Sequence, residues 1–161
     1  MPASKQTALF AIFSALSVVG ASIKIPAGLT SLALDSAPAL VAAALINPFF
    51  GAGIAFAGHL LSALLGGFPL GPFHLIISIE MFLLILLFGS VYQKGAIFPS
   101  CFLFWTGNTF LAPLPFIWLI SPAFYSAAVP GLLIASSINI VIAVLLVPRL
   151  SSIWNKNKQV I

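Results

Sequence analysis

Long apolar runs separated by short polar or Pro/Gly-rich breaks dominate the chain from end to end. A membrane span needs roughly 20 mostly apolar residues to cross a hydrocarbon core about 30 Å thick. By that measure the pattern predicts six spans, at about 7–23, 33–46, 50–65, 73–92, 97–120 and 124–147. Lys24 and Pro26 end the first, Asn47-Pro48 the second, and the run from Gly66 to Pro72 the third. Gln93-Lys94-Gly95 closes the fourth, and Pro113 and Pro115 bend or break the far end of the fifth. Pro130 falls in the first turns of the sixth, and Pro148-Arg149 leads into a polar tail from Trp154 to Lys158. The second run is short for a full crossing. Part of the loop before it is therefore expected within the membrane, covered by protein. The fold class is an all-α, polytopic bundle of six transmembrane helices forming one domain over 1–161, with no internal repeat.

Composition agrees. Hydrophobic residues make up 61% of the 161 residues and charged ones 5%, against about a quarter charged in a soluble domain. The net charge of +4 is not a nucleic-acid footprint, because the basic residues form no patch or stripe. One cysteine, Cys101, excludes an internal disulfide and a CxxC metal site; it reads as a small packing residue. Lys5, the run Ala8 to Gly20 and the pair Gly20-Ala21 mimic a signal peptide. Further spans follow at once, however, so the first is expected to be retained.

Positive charge favours the cytoplasmic side. With six spans, Lys5, Lys94, Arg149, Lys156 and Lys158 share one side and only Lys24 takes the other. Both termini are therefore expected in the cytoplasm.

The polar residues left within the spans carry the candidate chemistry, because ionisable groups in a membrane usually face a cavity or one another. The only two acids are Asp35 and Glu80, and both histidines, His59 and His74, also lie in or beside spans. At about 1.5 Å of rise per residue, Glu80 sits about 9 Å deeper than His74. Lys24, Asp35, His59, His74, Glu80, Asn108 and Asn139 are expected in the outer half of the membrane, converging on one site. Ordinary roles compete with that reading. Asp35 can cap a helix, His59 can bond a carbonyl, His74 can face interfacial water, Lys24 can snorkel, and the amides can join helices. Glu80 is hardest to dismiss, since an unpaired buried carboxylate costs several kcal/mol. Trp105, Asn108 and Thr109 share a face of span 5, and Ser136 and Asn139 a face of span 6. Those faces suit either an aromatic, hydrogen-bonding ligand or a packed helix interface.

Two ridges of small residues allow close helix approach. Ala8, Ala11 and Ala15 lie on or near one face of span 1; Gly51, Ala55, Gly58 and Ser62 lie along span 3. One is expected to serve internal packing and the other a partner protein. No phosphate-binding Gly-x-x-x-x-Gly-Lys-Ser/Thr loop, nucleophile elbow or His-Glu-x-x-His motif occurs, and there is no carboxylate chain for ion coupling. Uphill transport would then draw its energy from another subunit. The competing classes are a membrane enzyme using the histidines and acids, with or without a metal, and a purely structural protein.

Four stretches carry a family resemblance: Gly20-Ala21-Ser22-Ile23-Lys24-Ile25-Pro26, Ala33-Leu34-Asp35-Ser36-Ala37-Pro38, Gly58-His59-Leu60-Leu61-Ser62-Ala63 and Gly67-Phe68-Pro69-Leu70-Gly71-Pro72-Phe73-His74-Leu75. With the alanine-rich first span, they resemble the substrate-binding S components of energy-coupling factor (ECF) vitamin transporters, most nearly those for α-ribazole. The resemblance implies a bacterial plasma-membrane protein that is not an enzyme and holds no cofactor of its own. It implies substrate bound near the outer face, under the loops after spans 1, 3 and 5. It also implies an alanine face (Ala8, Ala11, Ala15) against a membrane-embedded scaffold subunit, and two cytoplasmic ATPases that use the ATP. For substrate binding it points to Lys24, Asp35, His59, His74, Glu80, Trp105, Asn108 and Asn139, without assigning atoms.

Overall fold

A computed structural model describes residues 3–23, 25–27, 30–32 and 34–158. Helix α1 (Ala3–Ser22) leads into a small antiparallel hairpin, β1 (Ile25–Ala27) and β2 (Thr30–Leu32). Then come α2 (Ala37–Leu45), α3 (Pro48–Leu65), α4 (Phe73–Tyr92) and α5 (Ile97–Thr106). A π-helical turn (Gly107–Leu111), a short α6 (Phe116–Leu119) and the long α7 (Pro122–Lys158) complete the bundle.

Three expectations need correction. Among the described residues, five helical stretches, not six, are long and apolar enough to cross a membrane. The second predicted span is a helix of nine residues, about 13 Å long at 1.5 Å per residue. It is apolar on every side, with Ala39, Leu40, Ala42 and Ala43 fully buried, as befits a helix in the middle of a bundle rather than on its surface. It packs against α1, α3, α4 and α7. Secondly, the loop before it is not wholly irregular. Its strands pair Ile25 with Leu32 and Ala27 with Thr30, so backbone groups there find partners within the chain. Thirdly, the last helix does not stop near Val147. It continues through Pro148 to Lys158, well beyond the length of an ordinary span.

The breaks follow local chemistry. Asn47 caps α3 by accepting the Phe50 N–H at 2.7 Å, with Pro48 in the first turn. Between α3 and α4 the chain turns through positive φ at Gly67 (78°) and Gly71 (55°), a conformation glycine adopts at little cost. Pro113 and Pro115 break the stretch Ile97–Leu119 near its far end, as the sequence suggests, and the preceding π turn is closed by the Ala112 N–H on the Gly107 carbonyl at 2.8 Å.

Close approaches fix the directions of the helices. A Cβ on Gly58 would meet the Ser17 Cβ of α1 at 2.6 Å, and one on Gly51 the Ala43 Cβ of α2 at 2.5 Å. The small ridge of α3 is thus the internal one. Phe10 stacks edge-on against Phe50, so α1 and α3 run parallel. Gly89 lies against Pro48 while His74 meets His59, so α4 runs back. Phe88 meets Phe104, and Asn108 meets Ser136, so α5 and α7 alternate again. The start of α1, the Asn47-Pro48 turn, the end of α4 and the later part of α7 therefore share one end of the bundle, with Lys5, Lys94 and Arg149. The residues around Asp35, the 66–72 turn and the 112–124 segment share the other.

Candidate functional site

At that second end the helices enclose a cavity of about 520 Å³, within the range of small-molecule sites. Asp35, His59, His74, Glu80, Asn108 and Asn139 all line it. Six polar residues singled out from the sequence therefore share one hollow. Ser36, Ile77, Met81, Phe116 and Phe124 add to the wall.

The two histidines are placed by the helices flanking the 66–72 turn. His59 Nε2 lies 3.1 Å from His74 Nδ1, and the Leu70 N–H donates to His74 Nε2 at 3.3 Å. On its far side, His59 Nδ1 lies 3.6 Å from Asp35 Oδ2. A backbone N–H can only donate, and a neutral imidazole has one donor and one acceptor nitrogen. His74 Nε2 is therefore the acceptor, its Nδ1 carries the proton, His59 Nε2 accepts that proton, and the His59 proton sits on Nδ1, toward Asp35. The tautomers follow from the network and run in a single direction.

Asp35 is not a helix cap. Ser36 occupies the N-cap position of α2 without a side-chain cap bond, and the Ala37 N–H goes instead to Asn139 Oδ1 at 2.7 Å. Asp35 Oδ1 accepts from the Ser36 hydroxyl at 3.0 Å. Asn139 also donates to the Ala135 carbonyl at 2.8 Å; it is 1% exposed and tethers α2 to α7 from the cavity wall. Asn108 donates to Ser136 Oγ at 2.8 Å. Glu80 stands apart, because its Oε2 is buried without a hydrogen-bond partner among the described residues.

Trp105 does not line the cavity. Its indole N–H donates to Ser137 Oγ at 3.0 Å, and its ring stacks on Phe102 and meets Phe110 edge-on. On that face of span 5 the helix-interface reading describes Trp105, whereas Asn108 lines the cavity. The physical reason is local: at the start of the π turn, Gly107 lacks a Cβ where Leu84 of α4 packs, and beyond it Asn108 and Thr109 are turned onto Ser136. The aromatic wall is made by Phe116 and Phe124, centroids 5.9 Å apart, with Phe73 edge-on to Phe116 at 5.8 Å. Sequence reasoning missed these two; the signal was their position just after Pro115 and Pro122, where the chain turns over the bundle end. Lys24 lies outside the described residues.

A second hollow, on the lateral surface between α1 and α3, is lined by Phe10, Ala11, Ala15, Leu61 and Leu65 among others and is almost wholly apolar. Ala8, Ala11 and Ala15 are exposed, whereas Ser14, Ser17 and Gly20 on the other face of α1 are buried.

Comparison with known proteins follows this geometry. No curated protein matches the chain. A solved structure described as "Structure and mechanism of the S component of a bacterial ECF transporter" superposes with a TM-score of 0.76, covering 94% of this chain and 98% of that one at 20% identity. This likeness establishes a shared fold. A family model described as "ECF transporter, substrate-specific component" matches residues 5–151. Proteins of that kind bind a transport substrate, are not enzymes, and work in the membrane with a scaffold subunit and ATPases. The chain, a multi-pass membrane protein, therefore belongs to the family of substrate-specific S components of ECF transporters.

Proposed function

We propose that this S component captures α-ribazole, the nucleoside of 5,6-dimethylbenzimidazole, in the cavity between Asp35, Glu80 and Phe124, and delivers it for uptake. One observation carries the reading: a ligand-sized hollow whose wall holds a buried carboxylate oxygen, Glu80 Oε2, with no partner among the described residues. A buried polar atom without a partner costs about 1–3 kcal/mol. A ligand donor removes that cost. α-Ribazole has a flat apolar bicycle suited to the Phe116–Phe124 wall and ribose hydroxyls suited to the carboxylates. Other small aromatic vitamins or precursors share parts of this chemistry and are the alternative ligands.

The same reading places the cavity end outward and the end bearing Lys5, Lys94 and Arg149 in the cytoplasm of a bacterial cell. The scaffold subunit would then meet the alanine face of α1, and two ATPase subunits would supply the energy from the cytoplasmic side. A membrane enzyme is not the reading, given the family. A purely structural protein would have no need of the hollow.

Calorimetry on the purified chain with α-ribazole, cobalamin and dimethylbenzimidazole tests the ligand. α-Ribazole is expected to bind tightest, because dimethylbenzimidazole lacks the ribose donors and cobalamin is far larger than the hollow. Absence of heat with α-ribazole would remove it as the substrate.

A further inference from the structure

We propose that the cavity favours ligands that donate hydrogen bonds, neutral polyhydroxyl or cationic amine compounds, over their phosphorylated or carboxylated counterparts. The inference rests on the cavity being the capture site, as proposed above, but not on which compound fills it.

His74 takes the Leu70 N–H and gives its proton to His59, so its ring has no donor left for a ligand; the His59 Nδ1 proton faces Asp35 across 3.6 Å. Asn139 has its carbonyl on the Ala37 N–H and its amino group on the Ala135 carbonyl. Asn108 gives one amide N–H to Ser136. Most of what remains is acceptor capacity: the carboxyl group of Glu80, unpartnered at Oε2, and the lone pairs of Asp35 not met by Ser36. These are the only two acids in the chain, and no lysine or arginine is among the described lining residues. An anion entering this hollow would exchange water for two carboxyl groups and no described counter-charge, a transfer that costs heavily at low dielectric. A hydroxyl or ammonium donor meets unfilled acceptors instead. Selectivity of this kind is steep, because a mismatch leaves polar groups unpaired or like charges facing.

The test uses matched pairs on the purified full chain: α-ribazole and its 5′-phosphate, riboflavin and its 5′-phosphate, thiamine and its monophosphate. Dissociation constants are measured by calorimetry with the wild-type chain and with Glu80→Gln and Lys24→Gln. The expected result is that the phosphate weakens binding at least 100-fold in every pair whose parent binds, and that Glu80→Gln narrows the ratio. A phosphorylated probe binding as tightly as its parent overturns the proposal, and loss of that binding in Lys24→Gln would identify the cation responsible. If α-ribazole fails but another parent binds with the expected ratio, the α-ribazole assignment falls and this inference stands. If no parent binds, both fall.

Discussion

His59 Nε2 and His74 Nδ1 lie 3.1 Å apart across the α3–α4 turn, and the Leu70 N–H on the far nitrogen of His74 gives their contact its direction. The 66–72 turn is thereby tied through two rings to Asp35 at the start of α2. Removing the ring nitrogens of His74 should release the turn, while removing those of His59 should not.

That contrast is measurable. In His74→Phe the Leu70 amide loses its acceptor, and a net hydrogen bond is worth about 0.5–1.5 kcal/mol. Hydrogen exchange across 66–72 should quicken up to about tenfold, the factor that 1.4 kcal/mol represents. In His59→Phe exchange at Leu70 should stay near the wild-type rate while ligand affinity falls. Equal protection in both variants would mean that the turn does not depend on this link.

Glu80→Gln separates a binding role from a structural one by the sign of two changes. The buried Oε2 has no partner among the described residues, so exchanging the carboxyl for an amide of the same shape breaks no described hydrogen bond at that atom. Thermal unfolding without ligand is expected at an equal or higher temperature. Affinity for α-ribazole should fall more than tenfold, or about 1.4 kcal/mol. A variant that is less stable yet binds normally would make Glu80 a packing residue.

How much of this was legible in the sequence varied with the physics involved. The long spans were, because twenty apolar residues have few alternatives. Convergence of Asp35, His59, His74, Glu80, Asn108 and Asn139 was also legible, since polar groups at one depth in lipid gather on one hollow. The His59–His74 contact had a signal in retrospect: both flank the Gly66–Pro72 break, and a tight turn there folds them together. What single-chain patterning could not weigh was competition between partners. Trp105 looked like a ligand platform until Ser137 claimed its N–H. Asp35 looked like a cap until Asn139, 102 residues away, took the Ala37 N–H. The shortness of α2 was visible, but not that neighbours on four elements would enclose it.

The outward alanines of α1 offer a test of assembly that leaves the cavity untouched. Ala11 and Ala15 line the lateral apolar hollow with Leu61 and Leu65 of α3, and small residues in membranes let another helix approach closely. Ala11→Trp and Ala15→Trp should abolish uptake in cells carrying the partner subunits and reduce co-purification with the scaffold. Calorimetric affinity for ligand should remain within about twofold. Lost affinity with intact assembly would reverse the assignment of that face.

Asn139 is expected to act on the ligand without holding it. Its carbonyl receives the first N–H of α2 and its amino group binds the Ala135 carbonyl, so Asn139→Ala orphans a buried donor and should cost about 1–3 kcal/mol of stability. The freed end of α2 carries Ser36 and Asp35, and with them the far end of the histidine chain. Affinity should therefore drop through a smaller population of competent protein rather than through a lost contact. The two routes differ at high ligand concentration. A population effect is recovered by mass action, so the thermal midpoint of Asn139→Ala should climb with ligand along the wild-type slope, offset to higher concentration, as expected for ligand that binds only the folded state. A flat response, with the binding enthalpy itself reduced, would instead make Asn139 a direct contact.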